Sequence, residues 1–496
     1  MKATRFVAKN TALLTFGLFA GRILALFVFR RIADTGAEGT GMWGTAVDIT
    51  SILTVVANFG LGTLITREIV RRAEMTLSVF LAALRIRLTL GLACYGVLIA
   101  YVFLSGFDEP TRIAVMIMAL GVVLETTGMT CDAVLQAHEK VQFQTGSQIV
   151  SAIVYFGLSW VWLDMGYGLM GVIWANVISR VARLSVIVPL MLKHTGPWQK
   201  PVAGDYSIKA RQLARMGLPL FLSTTFGIIS YKIDTVMLFE MLGKTAAGIY
   251  TLGHRALDVL LIIPSLFATA LFPSLARYGN DAAANADISR MGERALRYLH
   301  LAIFPLAVLC VVSAKPVIEW VSKEPGFEPS ILVFQVVIWG LPIQAANHIY
   351  NRLLISMGKE DLFIRISIVA MVTNVGLNLI LIPKFQWFGA AATTLISLML
   401  SLLMHRYYVV KGGIKLPWQR TAIGGTTAML VAWFAVSLLI QKLLPQWGCS
   451  WVSLPTVSWF AYLATVLLTG LLYSALIFAT GVLRKKDLSL LKELRG

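Results

Sequence analysis

Apolar residues run through this chain in long blocks, each closed by a few charged or polar positions. A helix crossing a bilayer needs about 20 apolar residues. Blocks of that length predict six helices near Asn10–Phe29, Met42–Ile65, Ser78–Leu104, Ile113–Gln136, Phe143–Leu163 and Leu169–Leu192. Six more are predicted near Leu218–Leu242, Ala247–Leu271, Tyr298–Val321, Ile331–Leu354, Leu362–Pro383 and Phe388–Val410, and two near Ala422–Leu444 and Val457–Leu483. The expected fold class is an all-α polytopic membrane protein of about fourteen transmembrane helices. The first block follows Lys2, Arg5 and Lys9, as a signal peptide would. It stays apolar to about Phe29 without a cleavage pattern, so it reads as a retained helix.

The charges between the blocks alternate. One side collects Arg67, Arg71 and Arg72, then Lys140, then Lys193 to Arg215, Arg277 to Arg297, Lys359, Arg406 to Arg420 and the tail from Arg484 to Arg495. The other carries only Arg30, Arg31, Arg112, Lys244, Lys323, Lys384 and Lys442. Basic loops stay in the cytoplasm, so both termini are expected there, in a bacterial inner membrane. The outer loops, of which Pro445–Thr456 is the longest, leave no room for an outer domain.

Composition agrees with this picture. Apolar residues make up 57% of the chain and charged residues 14%, against about a quarter charged in a soluble domain. A formal charge of +18 would suit nucleic acid, but these cations sit at the ends of apolar blocks rather than on one hydrophilic face, so nucleic acid is excluded as a partner. Cys94, Cys131, Cys310 and Cys449 show no metal-ligand or redox spacing and read as small apolar residues.

The chain also repeats itself. Gly41-Met-Trp43 answers Gly248-Ile-Tyr250, and Gly171 to Ser179 answers Gly389 to Ser397. Pro197-Trp198-Gln199-Lys200 answers Pro417-Trp418-Gln419-Arg420. Two six-helix lobes, 1–192 and 217–412, are expected around a central cavity. A cytoplasmic linker, 193–216, would join them, and 413–496 would hold two extra helices and a basic tail.

Ionisable groups inside the blocks cost roughly 2.5–3.5 kcal/mol each at the bilayer centre, so each needs a cavity or a partner. Arg22, Asp48, Lys232, His254, Arg255 and Arg352 are the candidate substrate-binding residues, and their basic balance suits a phosphate or diphosphate. Asp48 and Arg255 occupy equivalent repeat positions and are expected to face each other. Arg255 and Asp258, spaced i,i+3, form a local ion pair in the competing reading. Arg85, Arg87, Arg180 and Arg183 lie near helix ends, where a portal for an anionic headgroup and simple snorkelling are equally good readings. Glu125, Asp132 and His348 are further intramembrane groups, His348 reading first as a satisfied interior histidine. Asp234, Asn374, Asn378 and Thr394 fall at one depth and offer oxygen ligands for a monovalent cation. An inter-helix hydrogen-bond network is an equal reading of the same four.

Thr35-Gly-Ala-Glu-Gly-Thr-Gly41-Met-Trp43, Gly248-Ile-Tyr250 with Arg255 and Pro273, and Asn374-Val-Gly-Leu-Asn378 running to Pro383 and Gly389-Ala-Ala occur in this order. On these residues the chain resembles the polysaccharide-transporter branch of the MOP flippase superfamily, the Wzx-type flippases of lipid-linked oligosaccharides. The resemblance implies two six-helix lobes around a basic cavity and movement of an undecaprenyl-diphosphate-linked glycan to the outer leaflet by alternating access. It also implies a sodium ion at Asp234, Asn374, Asn378 and Thr394, although Asn378 stands where a carboxylate is expected. The helix 1 arginine spacing of the related lipid II flippases is not reproduced by Arg22 and Arg30, which favours another glycan.

The expected function is therefore a flippase for surface polysaccharide biosynthesis, driven by a sodium or proton gradient or by the membrane potential. Its expected partners are the polyprenyl-linked glycan, membrane lipids and a glycan polymerase or ligase. A multidrug/cation antiporter of the same superfamily is the alternative, disfavoured by the basic inventory. A membrane glycosyltransferase or polymerase is less favoured still. Only Asp34 and Glu38 stand in the first outer loop, with no nucleophile–base pair and no Walker motif. The chain is not expected to be an enzyme.

Overall fold

A computed structural model describes residues 2–196, 205–268, 285–359, 361–414 and 416, the stretch 427–439 apart from 433 and 438, and 459–479. Outside these residues lie Trp198 and both Pro-Trp-Gln motifs, Pro273, Arg277, Lys415, Cys449, the segment Pro445–Thr456 and the basic tail from Arg484.

The described residues are helical, with no strand. The helices are α1 (Lys2–Ala33), α2 (Gly36–Asn58), α3 (Gly62–Arg71), α4 (Thr76–Leu104), α5 (Glu109–Ala137), α6 (Val141–Asp164), α7 (Gly168–His194) and α8 (Asp205–Leu242). They continue with α9 (Lys244–Leu260), α10 (Asn285–Val312), α11 (Ala314–Val321), α12 (Glu328–Val337), α13 (Gly340–Ser356), α14 (Leu362–Lys411) and α15 (Trp459–Ala479).

Among the described residues, ten helical spans are long and apolar enough to cross a membrane, from Gly36–Arg71 to Leu362–Lys411. They coincide with the second to twelfth blocks of the sequence. The eleventh and twelfth share α14, which breaks at Gln386 (φ 51, ψ −134). There the chain folds back so closely that a Cβ on Gly389 would strike the Leu381 carbonyl. A second break divides α2 from α3, where Phe59 and Gly60 adopt left-handed backbone (φ 52 and 63). Pro110 opens α5 within its first two positions, where its missing N–H costs nothing.

The chain forms two compact units. The first comprises Met1–Thr251, Val321–Gly326 and Asp361–Thr393. Residues 217–251 and 361–393, which the repeat counts with the second half, thus pack in this unit. A core within it joins Leu61, Ile65 and Ile69 to Val79, Ala82, Val134, Leu135, Ile187 and Met191. The second unit comprises Leu252–Trp320, Phe327–Glu360 and Thr394–Gly496. In it Leu301 and Val308 of α10 pack against Met429 and Ala432 and against Tyr473 and Ile477 of α15. The Tyr473 hydroxyl donates to the Leu301 carbonyl at 2.8 Å.

In the first unit α2 and α9 meet backbone to backbone. A Cβ on Gly41 would collide with the Lys244 carbonyl, and one on Gly248 with the Ala37 carbonyl. Each carbonyl belongs to the residue four places before the partner glycine. The contact is therefore reciprocal, the pattern that a two-fold relation between like surfaces produces. These are the two glycines that the sequence repeat pairs.

Candidate functional site

Three polar clusters lie among the membrane-spanning helices of the first unit. The smallest joins α2 to α8, where Lys232 Nζ stands 3.3 Å from Asp48 Oδ1, with side chains 11% and 10% exposed. The ammonium also lies 5.0 Å from the Tyr231 ring centroid. Because α8 packs along α2, Asp48 takes Lys232, and Arg255 takes Asp258 on its own helix at 3.4 Å. In the second unit His254 Nδ1 is also 3.9 Å from Asp258. Each unit therefore holds a cation of the expected substrate set beside an aspartate. Arg22 of α1 is exposed, and Arg352 of α13 is half-buried.

The second cluster surrounds Asp234. Asn378 Nδ2 donates to Asp234 Oδ1 at 2.6 Å and stands 3.2 Å from Asn374 Oδ1. The Tyr250 hydroxyl donates to Asp234 Oδ2 at 2.9 Å. Asp234, Asn374 and Asn378 are buried, and Asn378 Oδ1 is enclosed without a hydrogen-bond partner. Three of the four expected cation ligands thus converge, and their hard oxygens suit a monovalent cation. The Asn378 amide now lies between the Asp234 and Asn374 oxygens, so an ion there would need that amide to turn. Thr394, the fourth expected ligand, is buried in the second unit. Tyr250 escaped the sequence reading as a partner of Asp234, although its motif with Gly248 had marked it.

The third cluster takes up three of the four expected portal arginines. Arg87 is fully buried and donates to Asn58 Oδ1 at 2.5 Å and Thr130 Oγ1 at 2.6 Å. It also reaches the Thr126 and Asn58 carbonyls at 3.3 and 3.4 Å. It thereby clamps the last turn of α2, just ahead of the Phe59–Gly60 break. Arg183 bridges two carboxylates of α5, Glu125 at 2.7 Å and Asp132 at 2.5 Å, and Arg180 lies 3.9 Å from Glu125. Arg87 and Arg183 are too enclosed to meet a headgroup, and snorkelling does not describe them either. Arg85 alone of the four is exposed.

Between the spans, Lys244 Nζ bonds Asp108 at 2.9 Å. Burial pushes the Asp108 carboxyl up, but the Thr111 hydroxyl and the Lys244 ammonium together hold it below the usual carboxylate range. Among the described residues, no group of three or more His, Cys, Asp or Glu side chains could hold a metal ion.

The comparisons with known proteins agree with this architecture. The model of the family described as "Polysaccharide biosynthesis protein" matches residues 7–278, and the MatE model matches 219–380. A probable low-salt glycan biosynthesis flippase, Agl15 of Haloferax volcanii, is 21% identical over 65% of this chain and 65% of its own length. The probable lipid II flippase MurJ of Haemophilus influenzae is 21% identical over 60% of this chain and 59% of its own. This chain thus spans less than two thirds of either relative. Among solved structures, the lipid II flippase MurJ in an inward closed conformation superposes with a TM-score of 0.76 at 15% identity, covering 95% of this chain and all (100%) of that one. A multidrug resistance MATE family transporter of the MOP superfamily, inward-facing, gives 0.64 at 14% identity over 79% and 95%. With the family model matched across more than half of the chain and the helical architecture in agreement, the chain is a multi-pass member of the polysaccharide biosynthesis protein family.

Proposed function

We propose that this protein is a flippase that carries an undecaprenyl-diphosphate-linked oligosaccharide from the cytoplasmic to the outer leaflet by alternating access. The observation that carries the reading is a cation inside a membrane span in each unit, Lys232 beside Asp48 and Arg255 beside Asp258. A charge within the bilayer is retained for a function. A diphosphate offers anionic oxygens to cations that already stand 3.3 and 3.4 Å from carboxylate oxygens. The relatives' names, a glycan flippase and a lipid II flippase, support the same substrate class. The protein would sit in the inner membrane with both termini cytoplasmic, next to the polymerase or ligase that uses the delivered glycan.

Lys232→Ala and Arg255→Ala should each lower glycan export by about tenfold or more, the equivalent of one charge-assisted hydrogen bond, at unchanged protein level. Normal export by both variants would overturn the assignment. The MATE-like fold favours one other reading, export of cationic drugs. It predicts drug resistance that depends on the protein and glycan export that does not.

Coupling to sodium is part of the proposal. Asp234 and Asn374 would hold the ion once the Asn378 amide turns its unpaired oxygen inward, and the ion would supply a gradient to drive the cycle. Export should then slow when sodium is replaced by potassium, and Asp234→Asn should remove that dependence. Equal sodium dependence in the variant would sink this part of the reading.

A further inference from the structure

On α5, Gly121, Glu125, Gly128 and Asp132 fall at i, i+4, i+7 and i+11, on one helix face. On α7, Arg180 and Arg183 lie over that face. A Cβ on Gly121 would stand 2.7 Å from Arg180 Nη1, and one on Gly128 would stand 3.4 Å from Arg183 Nη1. Each arginine therefore rests on a glycine and reaches a carboxylate. The geometry is well matched, yet three of its polar atoms are buried without a hydrogen-bond partner: Asp132 Oδ1, Arg183 Nε and Arg180 Nη1. The Asp132 side chain is 10% exposed and that of Arg183 is 7% exposed.

A buried carboxylate with one bare oxygen is in a costly state. Its other oxygen shares the Arg183 guanidinium with Glu125, so two negative charges divide one close cation. The remaining charges nearby do not relieve it. Arg180 stands 3.9 Å from Glu125, and Tyr155 of α6 acts on it electrostatically. Arg87 of α4 acts on Asp132 only at longer range, its hydrogen bonds going to Asn58, Thr126 and Thr130. Cys131, the neighbour on α5, is fully buried. A proton on Oδ1 would neutralise the group and leave Arg183 to Glu125 alone. Glu125, 24% exposed, is the least enclosed carboxylate of the cluster.

We infer that Asp132 is a proton-binding site: a proton from the aqueous phase reaches Oδ1 past Glu125, an O–H bond forms there, and Arg183 is released from Asp132. Protonation thus loosens the α5–α7 contact, and deprotonation restores it. That this step helps to drive transport rests on the flippase reading. That the proton binds there does not.

The test is infrared difference spectroscopy of the purified full chain in liposomes as the pH is stepped. A protonated-carboxyl carbonyl band should fade as the pH rises. Asp132→Asn should lose it, Glu125→Gln should keep it, and Asp132→Glu should shift it without loss. A band that persists unaltered in Asp132→Asn overturns the inference, and so does a wild-type spectrum without a titrating carboxyl band. If Asp132→Asn does not reconstitute, Asp132→Glu decides alone, since an unshifted band assigns the proton elsewhere. A titrating band in a protein that exports no glycan would sink the flippase reading and leave this site standing.

Discussion

Arg183 and Lys232 are both cations inside the membrane spans of the first unit, and they are held differently. Arg183 lies on Gly128, which makes room for it, and its two terminal nitrogens meet two carboxylates at 2.7 and 2.5 Å. Lys232 meets one carboxylate oxygen at 3.3 Å, beside an aromatic ring. A planar fork suits a fixed, bidentate partner, whereas an ammonium is a point charge that changes partners readily. An intramembrane charge is therefore not a site by its presence alone. The geometry of the partners separates a forked buttress from the contact of a point charge.

The comparison breaks first at Arg183. Arg183→Leu leaves the buried Asp132 and the half-buried Glu125 without their shared cation, which costs about 3–5 kcal/mol. The expected result is a large drop in thermal stability in detergent. Normal stability would mean that the carboxylates do not need the arginine and would reverse its assignment as a buttress. Lys232→Ala comes between the extremes, since export should register it before stability does. The smallest effect is expected at the Arg31–Asp164 pair, whose side chains are 34% and 52% exposed. Asp164→Asn should change stability by about 0–1 kcal/mol. A loss as large as that of Arg183→Leu would show that burial does not rank these ion pairs.

Much of this was legible in the chain. Helical blocks could be placed because a lipid-facing helix must be apolar on almost every side, which leaves a signal that survives without packing information. The described helices accordingly coincide with the expected blocks. Asp234, Asn374 and Asn378 were legible as one cluster because a fixed rise per residue turns position along a helix into depth. Tyr250 was not linked to them, because depth says nothing of which face a side chain takes. The Arg87 clamp was invisible for a related reason, as its acceptors include backbone carbonyls of α2 and α5 that carry no sequence label. The glycine–carboxylate spacing on α5 was open to view, but its meaning depended on which helix lay across it.

Length, apolarity and the order of charges are properties of one strand of sequence, and the bilayer reads them one helix at a time. From them alone follow the membrane class, the run of helices and the basic character of the interior. Pairing is a property of two helices at once. Asp48 took Lys232, and Arg183 became a bridge, because α8 lies along α2 and α7 lies across α5. At contact distances of about 3 Å, electrostatic partners are set by those packing angles, and no spacing along the chain encodes them.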